Sequence, residues 1–196
     1  MTKVDYGIRY KPLLNTMSEC GDMGLVKQFG SYVIAMLADG LGHGEKARQA
    51  AMLAIDYVND NYSTHTQLKE IMIDIHKLLI GTRGAVAAIC LLDLNNGDLK
   101  YIGIGNISVR IIGDTSRRLV PQDGVLGHSI PTPRENEVDF HKSQVLIMYS
   151  DGVKDHFEIS NNLMWSSLSA QQIADEIVSK YEKANDDSSC VVLQYF

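Results

Sequence analysis

Asp39 and Asp151 each close a short apolar run and each precede a glycine, in Ala38-Asp39-Gly40 and Ser150-Asp151-Gly152. Asp186 stands just ahead of the last apolar segment, and Asp22 lies in a Cys-Gly-Asp stretch that reads as a turn. Between antiparallel strands, the end of one lies beside the start of the next, so acids far apart in sequence can meet at one sheet edge. Such a cluster of like charges in a partly buried cleft is favourable only if some acids stay protonated or cations neutralise them. Oxygen ligands without accompanying histidine or cysteine select Mg²⁺ or Mn²⁺ over zinc, and a glycine beside each acid is read as giving backbone carbonyls or metal-bound water room to approach. Two such ions about 3.5–4 Å apart can activate a bridging water and clamp phosphoryl oxygens, which is the chemistry of phosphate-ester hydrolysis. A single Asp-Gly is more often a turn than a ligand. Two of them closing apolar runs, with Asp186-Asp187 opening another, weigh against turns alone, but spacing by itself leaves both readings open.

The elements that must position these acids follow from periodicity. Ser31 to Ala38 is brief, apolar and sharply ended, which predicts a buried strand. From Glu45 to Tyr57 the positions Ala47, Ala50, Ala51, Leu53, Ala54 and Tyr57 recur at helical spacing, so a glycine-rich turn leads from strand into helix. Thr64 with Gln67 is the expected capping box of a second helix, with Leu68, Ile71, Ile75 and Leu78 on one stripe and Gly81 and Gly84 closing it. Ala85 to Leu92 and Leu99 to Ile104 read as an antiparallel hairpin turning through Asn95-Asn96-Gly97-Asp98. Ser108 to Ile112 and Arg118 to Val120 are expected to extend that meander. Pro121 to Asn136 holds three of the four prolines and reads as a surface loop rather than a linker. Gln144 to Tyr149 resumes a buried strand, Ser169 to Lys183 suits a helix with Ile173, Ile177 and Tyr181 on one face, and Cys190 to Phe196 is the final strand. Mixed strands with two early helices and one late one favour a layered α+β sandwich over the regular alternation of a parallel sheet.

Composition narrows the classes. A chain of 196 residues with 45% hydrophobic content can bury one sizeable core and is short for two, so residues 1–196 are expected to form a single domain. A formal net charge of -6 argues against nucleic acid as a partner, because a phosphate-backbone footprint needs clustered Lys and Arg. Cys20, Cys90 and Cys190 form no C-x-x-C pair and suggest reduced thiols in a cytoplasmic protein. Met1 to Tyr10 has no apolar leader, and no run approaches the roughly 18 apolar residues of a membrane span, so no membrane association is expected.

Taken in order, Ala38-Asp39-Gly40-Leu41-Gly42-His43-Gly44, Thr82-Arg83-Gly84-Ala85, Gly105-Asn106, Ser150-Asp151-Gly152-Val153 and Asp186-Asp187-Ser188-Ser189 resemble the bacterial SpoIIE/RsbX branch of the metal-dependent protein phosphatases (the PPM family). The resemblance runs from about Cys20 to the C-terminus and is greatest to the stand-alone RsbX type, without an appended sensor domain. It implies a four-layer αββα sandwich of two mainly antiparallel sheets flanked by helices, holding two Mn²⁺ or Mg²⁺ ions. Carried over by position, Asp39 bridges both metals, with the Gly40 carbonyl contacting one directly or through water. Asp151 and Asp186 complete one metal, and Asp22 stands behind the ligands or holds a metal through water. The resemblance further implies a protein serine/threonine phosphatase of stress-response signalling. Its expected substrates are phosphorylated STAS-domain regulators of the stressosome, hydrolysed by a metal-activated water.

Two departures from the family pattern bear on the substrate. Eukaryotic-type members carry an arginine shortly before the first acidic motif to hold the substrate phosphate, whereas Leu13 to Glu19 contains no basic residue. Arg83 is a substitute candidate, or a structural member of a Thr-Arg-Gly turn. His43 stands where close relatives have a small residue, and is either an exposed loop residue or a general acid for the leaving alkoxide. Asp187 is a cap or an acceptor behind Asp186. A nucleotide-binding turn at Gly40 to Gly44 is disfavoured, because a dinucleotide fingerprint needs glycine where Glu45 stands and Asp39 would face the pyrophosphate. The alternative from another class is a catalytically silent phosphatase-fold module that only binds a regulatory partner; retention of all four acids speaks against it.

Overall fold

The computed structural model describes residues 4–13, 16, 19–63, 67–155 and 167–196. In chain order the elements are β1 (Val4–Lys11), β2 (Asp22–Phe29), β3 (Tyr32–Gly40), α1 (Glu45–Asn61), α2 (Leu68–Leu78), β4 (Ala85–Asp93) and β5 (Asp98–Ile104). There follow β6 (Ser108–Ile112), β7 (Ser116–Leu119), β8 (Asn136–Asp139), β9 (Val145–Tyr149), α3 (Ala170–Tyr181) and β10 (Ser188–Tyr195). They form two five-stranded antiparallel sheets, ordered β1-β10-β9-β6-β7 and β2-β3-β4-β5-β8.

β3 and β4 are apolar at almost every position because both faces of their sheet are covered. Side chains alternate across a strand, so Val33, Ala35, Leu37, Val86, Ala88 and Cys90 point into the core between the sheets. Their neighbours Ile34, Met36, Ala38, Ala87 and Ile89 pack under α1 and α2. The other sheet divides the same way: Val109, Ile111, Leu146, Met148, Val191 and Leu193 face the central core, while Ile147, Tyr149, Cys190 and Val192 meet Ile173, Ala174 and Ile177 of α3. Helix, sheet, sheet and helix layers result, which is the sandwich expected from the sequence. The three cysteines are buried free thiols, and no helix among the described residues is long and apolar enough to cross a membrane.

Several expectations need correction. β6 and β7 do not extend the β4–β5 meander; β6 pairs with β9 in the other sheet. β6 sets Val109 and Ile111 in the central core and Ile112 in the α3 cluster, while Arg110, on the same side as Ile112, reaches Asp155, which lies just beyond the end of β9 in that sheet. The segment from Pro121 to Asn136 is not wholly a surface loop. Leu126 is fully buried and bridges Ala85, Gln122 bridges Ile104, and Asn136 opens β8 on the edge of β5. The capping box of α2 does not form as expected: Gln67 is itself the N-cap, without a side-chain cap bond, and Thr64 lies outside the described residues. The Leu68 amide donates instead to Glu135 Oε2 at 2.8 Å. β1 and β2 were not expected as strands, and Asp22 is the first residue of β2, not part of a turn.

Candidate active site

Strand register brings the acids together. Asp22 at the start of β2 lies directly opposite Asp39 near the end of β3. In the second sheet Cys190 pairs with Tyr149, and the ladder continues as the Ser150 amide donates to the Ser189 carbonyl at 3.2 Å. The residues just beyond, Asp151 after β9 and Asp186 before β10, therefore project from the same end. The expectation of a single sheet edge is corrected: each sheet supplies two acids. Asp39, Asp151 and Asp186 line one cleft of about 520 Å³ with Asn106, His43 and Asp123.

The glycines following Asp39 and Asp151 are required by close backbone packing. A Cβ on Gly40 would lie 1.9 Å from the Ala47 carbonyl oxygen, and one on Gly152 would lie 1.8 Å from that of Asp187. Without a side chain at Gly40, the first turn of α1 presses directly onto the end of β3. Absence of a side chain at Gly152 likewise lets the Asp151 turn lie against the backbone of Asp187, just ahead of β10.

Asp187 is a structural anchor. Its Oδ1 accepts the Leu13 amide and its Oδ2 accepts the Gly21 amide, both at 2.7 Å. Both oxygens are occupied in tying the segment before β2 to the start of β10. Asp186 Oδ1 accepts the Asp187 amide at 2.9 Å, leaving its other oxygen for the cleft. Asn106 Nδ2 donates to Asp151 Oδ2 at 2.8 Å, and Lys183 Nζ donates to the Asp151 carbonyl.

The electrostatics are those of an anion cluster, offset at Asp186 by the Lys183 ammonium. Burial first, and then the charges of Asp22, Asp151, Asp186 and Asp187, push Asp39 up to about 9. Asp22, 1% exposed, is pushed up to about 7 by burial and by Asp187 and Asp186, although the nearby Ser150 and Ser189 hydroxyls pull it back. Its Oδ2 has no hydrogen-bond partner among the described residues. Asp186 is raised by burial and by Asp151. A buried, unpartnered carboxylate oxygen close to the raised carboxyls of Asp39 and Asp186 is the environment that a hard divalent cation relieves. Among the described residues no three acidic, histidine or cysteine side chains converge on one point, so an ion here would complete its shell with water, as Mg²⁺ habitually does.

Of the substrate-binding candidates, His43 is exposed on the cleft wall and Arg83 is not part of the cleft; its guanidinium lies against Gly42 from the neighbouring side. Sequence reasoning missed Asp123, because the proline-rich segment gives no sign that it folds back over the cleft, and assigned no role to Asn106, although Gly105-Asn106 had been singled out. A smaller hollow of about 250 Å³ at the far ends of β2 and β3 is lined by Phe29, Tyr32 and Leu91. Its lysine, Lys100, is engaged by Glu135 and Glu137, and it lacks such an acid ring.

The fold and this acid ring define the class of the PP2C-type protein phosphatases. The chain belongs to the Stage II sporulation protein E (SpoIIE) family, whose profile matches residues 30–196. It is 24% identical over 160 residues to the phosphoserine phosphatase RsbX of Bacillus subtilis (strain 168), covering 74% of this chain and 79% of the relative. Among solved structures, one from a study of the bacterial stressosome as a modular system adapted to control secondary messenger signalling is 29% identical. It superposes with a TM-score of 0.90 over 98% of this chain and 100% of that one. RsbX in complex with magnesium superposes with a TM-score of 0.78 at 19% identity, covering all of both chains.

Proposed function

We propose that this chain, as one domain spanning residues 1–196, removes phosphate from phosphoserine or phosphothreonine on a STAS-type stress-response regulator in the cytoplasm. The observation that carries the reading is the ring of Asp39, Asp151 and Asp186 over the buried, unpartnered oxygen of Asp22. The phosphoserine phosphatase relative and the stressosome structure support the substrate class.

Asp39, with the Gly40 carbonyl, Asp151 and Asp186 would hold two Mn²⁺ or Mg²⁺ ions, and Asp22 would back them or reach one through water. When bound, such ions supply a nucleophilic water at neutral pH and neutralise charge on the phosphoryl oxygens. The chain's own residues fix the geometry. Asn106 holds one oxygen of Asp151 so that the other faces the cleft, and Asp187 holds the segment leading to Asp22. His43 stands on the cleft wall and would be the residue to protonate the leaving serine oxygen.

The test is phosphate release from a phosphorylated STAS protein and from an aryl phosphate, with added Mn²⁺ or Mg²⁺ and after chelation. Metal-dependent release from both is expected. Activity surviving exhaustive chelation would falsify the metal assignment, and inactivity on every phosphoester would favour the silent binding module.

A further inference from the structure

Beside the cleft runs a groove of about 440 Å³ with the opposite chemistry. Lys46, Gln49 and Leu53 of α1 form one wall, and Gly81, Thr82 and Arg83 of the turn between α2 and β4 form the other. Spacings of three and four residues put the α1 members on one helix face. The lining contains no acid. Several basic side chains elsewhere are ion-paired: Arg9 with Asp175, Lys11 with Glu182, Lys77 with Asp74, Arg110 and Arg118 with Asp155, and Lys180 with Glu176. Lys46 and Arg83, both exposed, have no ion-pair partner among the described residues. Leu53, 38% exposed, adds an apolar patch between them.

The turn carrying Arg83 is well fixed. Thr82 gives both its amide, at 3.0 Å, and its hydroxyl, at 2.7 Å, to the Leu79 carbonyl. His128 Nε2 lies 2.9 Å from the Arg83 carbonyl oxygen, and the Gly84 carbonyl accepts the Leu41 amide at 3.0 Å. That last bond ties the groove to the catalytic rim. The groove and cleft also meet at Gly42: a Cβ there would lie 2.6 Å from Arg83 Nη1, and Gly42 lines the cleft with the acids.

We propose that this groove docks an acidic segment of the substrate protein, close in space to the phosphorylated residue, with Lys46 and Arg83 reading its carboxylates. The inference rests on the phosphatase reading and adds a specificity determinant to it. The overall charge of -6 and the acid-ringed cleft would by themselves repel such a segment, so a preference for it must come from a local cationic surface. Exposed ion pairs are individually weak, so the two cations together are expected to give roughly three- to tenfold in kcat/KM.

The experiment uses two phosphoserine peptides of equal length, one flanked by aspartates and the other by asparagines at the same positions, with an aryl phosphate as a control for turnover. The purified protein should prefer the aspartate peptide at low salt, and the preference should fade as salt screens it. The Lys46→Glu, Arg83→Glu double variant should lose or invert that preference. Because the readout is a ratio on one enzyme preparation, partial loss of folded protein cancels, and Lys46→Gln serves as the milder variant. Equal rates on both peptides, or an undiminished preference in the double variant, would overturn the docking assignment while leaving the phosphatase reading intact. Inactivity of the unmutated protein on both peptides and on the aryl phosphate would instead overturn the phosphatase reading, and the docking assignment with it.

Discussion

Asp39→Asn should make the metal-free protein more stable at alkaline pH while ending turnover. Asp39 is buried among Asp22, Asp151 and Asp186, and its carboxyl is pushed up to about 9, against roughly 4 in an unfolded chain. A carboxyl raised on folding binds its proton more tightly in the native state, so native stability falls as pH climbs from the unfolded value toward the folded one. Each unit of that interval corresponds to about 1.4 kcal/mol. Relaxation of the site and entry of water reduce the nominal total, leaving a cost on the order of 2–4 kcal/mol near pH 8. Asparagine keeps the shape and removes the ionisation, so the cost disappears. Urea unfolding in the presence of a chelator should show the variant more stable by this amount near pH ~8, with the gap narrowing toward pH ~5. On the proposed assignment of Asp39 as a metal ligand, added Mn²⁺ should reverse the order, because only the unmutated protein keeps that carboxylate. A variant no more stable than the original near pH ~8, at unchanged m-value, would refute the claim that the acids repel one another in the empty cleft.

Asp187→Ala should cost on the order of 2–4 kcal/mol in urea unfolding, since it strands the Leu13 and Gly21 amides. Asn106→Ala should raise the Mn²⁺ concentration for half-activation about 10- to 100-fold, read from metal titrations of turnover, because it frees Asp151 to rotate. Burial opposes ionisation of Asp155, yet hydrogen bonds from Tyr149 and Arg118 and the charges of Arg110 and Arg118 hold it below the usual carboxylate range. Its contribution is therefore present at neutral pH and lost as pH falls through the folded value, so Asp155→Asn should lower the melting temperature near neutrality and make little difference in acid. An intact phosphorylated STAS regulator should exceed its own phosphopeptide by about 100-fold in kcat/KM, because surface docking supplies what the cleft alone does not; equal values would remove the case for a dedicated protein substrate.

How much was legible depends on where each element sits. β3, β4, β9 and β10 are central or paired on both sides, and their unbroken apolar runs were visible without a structure. α3 was equally plain from its helical spacing, and the structure adds a reciprocal Ser169–Gln172 capping box at its start. The strands that escaped reading, β1, β2 and β8, all lie on sheet edges. Edge strands face solvent along part of their length and carry mixed sequences such as Asp-Met-Gly-Leu-Val-Lys-Gln-Phe, which dilutes the alternation that marks a strand.

The sequence by itself determined that Asp39, Asp151 and Asp186 would sit at the ends of buried segments, because an apolar run that stops at an acid and a glycine has few other ways to fold. It also determined the layers, through helical and strand periods that each demand a covered face. Only the tertiary structure decided that the acids come in pairs from two sheets, that Asp187 spends both oxygens on backbone amides, and that Asp123 joins the cleft. It alone removed Arg83 from the cleft and set it beside Lys46. Those facts depend on register, on crossings between sheets and on which partner a polar group finds, and such long-range pairings leave no periodic mark in the chain that makes them.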